Sequence, residues 1–141
     1  MVQVGRENAE TSKLADRPIR WIIDDCMKFV EREKRRGRRY DAIIMDPPSF
    51  GRGPNGETWH LEDEIDGFVR NVCALFSDKP LFLLVNSYSS GLTPEAMGYM
   101  LRDSVERTLG GTTETGELGL PVTASGLALP CGATTRWRAD C

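Results

Sequence analysis

The sequence predicts an α/β domain: a doubly wound, mostly parallel sheet closed by a C-terminal antiparallel hairpin. Three observations carry this. Ala42–Met45 and residues 81–85 are almost wholly apolar, as expected of strands covered on both faces. Between them Leu61, Ile65, Phe68, Val69, Val72, Leu75 and Phe76 fall at steps of three and four, the stripe of one long amphipathic helix. Both strands stop abruptly, at Asp46-Pro47-Pro48 and at Asn86-Ser87. Such strand–helix alternation implies right-handed crossovers between parallel neighbours.

The remaining elements follow the same logic. Residues 6–14 read as the end of a helix before the breaker Pro18. Residues 19–23, Ile-Arg-Trp-Ile-Ile, form a short β-branched and aromatic run, a strand that Asp24-Asp25 ends. Cys26, Phe29 and Val30 open an amphipathic helix to about Arg36, and Gly37 stops it. Thr93-Pro94 supplies an N-cap with proline at the first helical position, and Met97, Met100, Leu101, Val105 and Leu109 continue that helix. Past Gly110-Gly111, residues 112–118 and 133–138 are two weaker strands.

The chain has 141 residues, 40% apolar and 28% charged, which suits a single soluble domain with one core. No apolar run approaches the roughly 20 residues of a membrane span, and the first residues lack a secretory signal, so a cytoplasmic location is expected. Cys26, Cys73, Cys131 and Cys141 are not at metal-ligand spacing, and His60 is the sole histidine, so no metal site is expected. The cysteines read as reduced thiols, Cys26 and Cys73 buried in helices. The net charge of −3 gives no support for general nucleic-acid affinity. The basic run 34–39 lies between a helix end and a strand start. That places it away from the strand carboxyl ends and makes it a solvated turn.

In doubly wound sheets, ligands bind beyond the carboxyl ends of the strands. Three polar strand ends, Asp24-Asp25, Asp46 and Asn86-Ser87, therefore mark one rim as the candidate site. Asp46-Pro47-Pro48-Ser49-Phe50 is the most informative stretch. Two prolines stiffen the exit and leave carbonyls to accept, Asp46 can accept from an amine, and Phe50 can stack on a base. The same residues also make an ordinary strand-end turn. Asp24 or Asp25 suits a helix N-cap, and Asn86 can serve the loop backbone as well as a substrate. Residues 51–56 match G-x-G-x-x-G, yet they do not sit at a strand–helix turn and Pro54 removes a donor, so a mobile substrate-side loop is the better reading. Trp59 and His60 read as packing and surface residues at the start of the long helix.

Tyr40-Asp41-Ala42-Ile43-Ile44-Met45-Asp46-Pro47-Pro48-Ser49-Phe50 resembles the fourth motif of class I S-adenosylmethionine-dependent methyltransferases. It is similar in particular to the branch containing bacterial large-subunit rRNA cytosine-C5 methyltransferases. Other pieces agree in order along nearly the whole chain. Arg6-Glu7-Asn8-Ala9-Glu10 resembles the helix after the family's second strand, and Ile23-Asp24-Asp25-Cys26 with Lys28-Phe29-Val30 its third motif. Asn86-Ser87-Tyr88-Ser89-Ser90-Gly91-Leu92 resembles the loop after its fifth strand. Leu129-Pro130-Cys131-Gly132 with Arg136-Trp137 resembles its final hairpin.

The resemblance implies a Rossmann-like fold and S-adenosyl-L-methionine as cofactor. Residues 1–141 would be a partial catalytic domain, its C-terminal portion. Asp25 and Cys26 would meet the adenine, with Asp46 beside the cofactor. Asp46, Pro47, Pro48 and Asn86 would form the catalytic rim, and Phe50 and Ser87 would contact substrate. RNA would be the partner and rRNA processing the process; neither a membrane nor a metal would take part.

Two departures accompany it. The family's first two strands, with the Gly-rich turn for the cofactor, have no counterpart. In the family's sheet order, 3-2-1-4-5-7-6, their absence leaves a gap roughly 10 Å beyond normal strand contact. Completion by another chain or segment, and inactivity of the chain alone, are therefore expected. The family's cysteine nucleophile is also replaced, with Ser89 nearest its position, and serine is a weak nucleophile without a base. Transfer to an exocyclic amine or another heteroatom stays open. Two competing readings are a truncated, non-catalytic α/β fold serving as an interaction module, and an unrelated nucleotide-binding domain.

Overall fold

A computed structural model describes residues 2–53 and 56–140. Helix α1 (Val2–Thr11) and helix α2 (Cys26–Arg35) precede strand β1 (Ala42–Met45). A small hairpin follows, β2 (Phe50–Arg52) and β3 (Thr58–His60), leading directly into α3 (Leu61–Cys73). Then come β4 (Phe82–Ser87), α4 (Pro94–Leu101) extended through a π-helical turn at Arg102–Glu106, and the long hairpin β5 (Thr112–Val122) and β6 (Leu127–Arg138).

The four-stranded sheet has the order β1-β4-β6-β5. Strands β1 and β4 are adjacent and parallel, Met45 opposite Val85, so Asp46, just past β1, and Asn86, near the end of β4, lie at one rim as expected. Strand β6 runs antiparallel to β4, and β5 antiparallel to β6. The sheet is thus mixed, with one parallel pairing and two antiparallel ones, and the hairpin strands run further than the sequence suggested, β5 to Val122 and β6 from Leu127.

Residues 19–23 form no ladder; Ile19, Trp21, Ile22 and Ile23 are exposed on a non-strand segment. The strand expected there lacks a neighbour among the described residues, and without ladder partners a β-branched run has nothing to hold it extended.

One face of the sheet carries the core. Leu83, Val85 and Trp137 point into it and meet α3 through Ile65, Phe68, Val69 and Val72, and α4 through Met97 and Leu101. The expectation of strands covered on both faces is not met among the described residues: Ile44 is 65% exposed. Helices α3 and α4 pack on the Leu83–Val85 side, and the other face is open, so the apolar runs reflect a cover the described elements do not supply.

The start of α4 and the end of α2 fall where the sequence placed them, whereas α1 ends at Thr11 and α3 at Cys73, short of the Leu14 and Phe76 expected. Thr93 Oγ1 accepts from the Ala96 N–H at 3.2 Å, with Pro94 at the first helical position. Gly37, at φ 65°, ends α2 while the Arg38 N–H bonds back to the Glu33 carbonyl at 3.0 Å, a left-handed cap that glycine makes at low cost. Gly111, at φ 88°, is required for a second reason: a Cβ there would collide with the Arg138 carbonyl oxygen. That close approach lets the Trp137 indole N–H donate to the Gly110 carbonyl at 2.7 Å.

Cys26 is exposed rather than buried, since it starts α2 at the rim. Cys73 ends α3 half-buried, and its desolvation pushes the thiol up to about 12 and leaves it unreactive. Cys141 lies outside the described residues. No helix among the described residues is long and apolar enough to cross a membrane, and no group of described His, Cys, Asp or Glu side chains could hold a metal ion.

Candidate active site

Beyond the carboxyl end of β1 lies a cavity of about 670 Å³. One wall is the start of α2, with Asp25, Cys26, Met27 and Lys28; another is the strand exit Met45, Asp46, Pro47 and Pro48. The hairpin contributes Thr58 and Trp59, and α3 contributes Glu64 and Phe68. The described lining therefore carries the carboxylates of Asp25, Asp46, Glu57 and Glu64 against the single ammonium of Lys28.

At the α2 wall, Asp25 Oδ1 accepts from the Lys28 N–H at 3.1 Å and caps the helix. Its second oxygen is 3.7 Å from Lys28 Nζ, an exposed pairing of little energetic weight. The Cys26 N–H, an orphan of the first turn, has no acceptor among the described residues. This wall is thus an acceptor beside a free donor at a positive helix end, a pattern that fits the edge of a planar heterocycle. The cap is testable by itself. Asp25→Ala should cost about 1 kcal/mol and Asp25→Asn only a few tenths in urea unfolding; equal losses would contradict the capping geometry.

Helix α2 is held against the strand by Glu33, which is buried. The Tyr40 hydroxyl donates to Glu33 Oε2 at 2.5 Å and Arg36 Nη1 lies 3.2 Å from Oε1. Those bonds keep the Glu33 carboxyl below its ordinary range, while burial and Glu33 together raise the Tyr40 hydroxyl. Because Tyr40 leads into β1, the contact sets the position of Asp25 and Cys26 relative to Asp46.

Asp46 is exposed, and its carboxylate has no partner among the described residues. The carbonyls after it are not all free, as the proline pattern suggested. Trp59 Nε1 donates to the Pro48 carbonyl at 2.8 Å, and the Leu61 N–H donates to the Ser49 carbonyl at 3.0 Å. The Pro47 carbonyl alone has no donor among the described residues. The exit thus presents one carboxylate and one carbonyl on a doubly braced turn, an arrangement able to orient an N–H donor.

The other sequence-predicted residues stand outside this cavity. Asn86 Oδ1 accepts from Thr134 Oγ1 across the ladder at 2.8 Å. Ser87 is buried, and its hydroxyl accepts the Ser89 N–H at 3.1 Å. Phe50 is exposed and meets His60 edge to face, ring centroids 5.1 Å apart. The glycine-rich match falls in a β-hairpin, with the Gly53 N–H bonded to the Glu57 carbonyl at 2.8 Å, so it is no strand–helix phosphate turn; its Pro54 and Asn55 lie outside the described residues.

Sequence reasoning did not place Met27, Lys28, Glu64 or Phe68 at the site, and it gave Trp59 a packing role only. Helical spacing from Asp25 could have found Met27 and Lys28. Trp59 depends on a hairpin that no pattern announced.

Comparison with known proteins points one way. No protein-family model matches the chain. A solved S-adenosylmethionine-dependent methyltransferase from Agrobacterium tumefaciens superposes with a TM-score of 0.87 at 35% identity, over 99% of this chain and 46% of that one. SMU.776, described as a methyltransferase and solved with SAH, aligns at TM-score 0.66 and 18% identity over 96% of this chain and 36% of its own, a likeness of fold. Among curated proteins, the ribosomal RNA large subunit methyltransferase I of Escherichia coli is 35% identical over 49 residues, which are 35% of this chain and 12% of that protein. The chain therefore spans less than half the length of these relatives. The resemblance to class I methyltransferases read from the motifs is borne out, with a Rossmann-like mixed α/β fold.

Proposed function

We propose that this chain is the acceptor-side part of a methyltransferase domain that transfers the methyl of S-adenosylmethionine to RNA. The observation that carries the reading is one cavity mouth that brings together Asp25 and the free Cys26 N–H on one wall and Asp46 with the Pro47 carbonyl on the other. The first pair suits an adenine edge. The second suits the amine or other heteroatom to be methylated. The acidic lining suits a sulfonium cation, whose charge it attracts without hydrogen bonds. Chemistry then consists of holding acceptor and methyl in line, with little acid–base work. The RNA acceptor is supported by the ribosomal RNA methyltransferase likeness over 49 residues. Phe50, exposed beside His60, is the stacking surface for a splayed base.

The open edge of β1, with Ile44 exposed, and the unpaired apolar residues Ile19, Trp21, Ile22 and Ile23 support completion by further strands, from another chain or segment. Such strands would carry the ribose and methionine contacts. The 141-residue chain alone is accordingly expected to bind S-adenosylmethionine weakly, with a Kd in the millimolar range or beyond. Titration calorimetry checks this; micromolar binding would show that the cofactor site is whole without them. A second reading, a fold that serves as an interaction module without cofactor, draws on the same exposed edge. Absence of S-adenosylmethionine binding after strand completion would favour it.

A further inference from the structure

Glu62 stands in the first turn of α3 but does not line the cavity. Its carboxylate accepts the Ser89 hydroxyl, reaching from α3 to the loop that follows β4. It also lies directly on Gly91: a Cβ at that position would collide with both carboxylate oxygens. The gripped loop is tied within itself, the Ser89 N–H to Ser87 Oγ at 3.1 Å and the Leu92 N–H to the Ser89 carbonyl at 3.3 Å. The start of α3 grips the other rim loop as well, through the Leu61 N–H on the Ser49 carbonyl and the Trp59 indole on the Pro48 carbonyl.

A first-turn acid is ordinary helix chemistry. Asp63 and Glu64 already supply that charge, and Glu62 is the member of the trio joined to the 87–92 loop by a hydrogen bond to Ser89 and by the cradle at Gly91.

We propose that Glu62 is a positioning residue for the methyl transfer assigned above, on which the proposal rests. It locks the 87–92 loop to the start of α3, so that this loop and the Asp46–Phe50 loop share one anchor and face the acceptor as a unit. The O–H···O⁻ bond is of the charge-assisted kind, stronger than a neutral one. Gly91 is the residue that makes room for the carboxylate. The same bond gives Ser89 a structural task, consistent with its not acting as a nucleophile.

Hydrogen exchange on the full 141-residue chain tests the lock without any assay of activity. Glu62→Ala should speed exchange of the Ser89 and Leu92 amides about tenfold, with the β1 and β4 amides unchanged. Glu62→Gln, which keeps an acceptor, should restore most of the protection. Gly91→Ala should loosen the loop by pushing the carboxylate away, yet add nothing in the Glu62→Ala background, where its methyl meets no carboxylate. Unchanged exchange in Glu62→Ala, or additive effects of the two substitutions, would overturn the lock.

In methyl transfer by the chain completed along β1, with unmodified large-subunit rRNA as the acceptor, Glu62→Ala should raise the acceptor KM about tenfold while the S-adenosylmethionine Kd holds, again with rescue by Gln. A loosened loop with unaltered KM would overturn the positioning role and leave the methyl-transfer reading intact. Absence of transfer by the wild-type chain completed along β1 would overturn that reading, and this role with it, whatever the exchange result.

Discussion

Asp46→Ala is expected to lower methyl transfer about 100-fold or more in the chain completed along β1, while the S-adenosylmethionine dissociation constant moves less than about threefold. The reason is geometric. Asp46 ends a strand whose position is set on one side by its ladder to β4 and on the other by the Tyr40–Glu33 contact. It precedes two prolines, the second of which is braced by Trp59. Its carboxylate has no competing partner among the described residues, so a hydrogen bond to the acceptor is the interaction it is free to make. A carboxylate that positions the acceptor does little for cofactor already bound at the α2 wall. Ser89→Ala supplies the contrast. If Ser89 attacked the acceptor covalently, its loss would abolish turnover. If it only holds the loop through Glu62, turnover at saturating acceptor persists and the acceptor KM rises. Turnover and cofactor dissociation constants measured for both variants decide the matter. A dead Ser89→Ala beside an active Asp46→Ala would reverse the two roles.

The second large effect is on stability. Trp137→Ala should cost about 3–5 kcal/mol, a large part of what a domain of this size possesses. Trp137 is fully buried on β6, next to the middle of the sheet, with its ring against Phe76 at a centroid distance of 5.4 Å. Its removal leaves a cavity between sheet and helices and strips the Gly110 carbonyl of its donor. Trp137→Phe separates the two contributions: it keeps most of the volume and loses the N–H, for about 1–2 kcal/mol. Urea unfolding followed by circular dichroism measures both. A loss below about 1 kcal/mol for Trp137→Ala would contradict the packing described, since truncation of a buried tryptophan has no route to so small an effect.

Much of the fold was legible in the sequence because it depends on local patterns. The 3.6-residue stripe of α3 named its core residues correctly, and the Thr93-Pro94 and Gly37 signals located helix ends through their own backbone chemistry. The apolar runs at β1 and β4 announced parallel neighbours, and Asp46-Pro47-Pro48 announced a rim. The motif series identified a methyltransferase likeness that the structural neighbours support. Residues 19–23 read as a strand by composition and form none, because a strand exists only through its partner. Cys26 read as buried by helical phase and is exposed, because phase does not reveal where a helix begins relative to the rim.

What only the tertiary structure decided are the contacts between segments far apart in the chain. Periodicity could not show that Trp59 takes the Pro48 carbonyl and leaves Pro47 free. Nor could it show that Asn86 is engaged by Thr134, 48 residues away, or that Glu62 holds Ser89. These depend on the β2–β3 hairpin, the β6 register and the packing of α3, each set by the whole core. The sequence by itself determined the main helices, the β1–β4 pair and which rim is polar, since propensity, capping and turn chemistry act over a few residues. Which polar groups stay free for a ligand was decided by packing, because a hydrogen-bond donor or acceptor is available only when no distant side chain has reached it first.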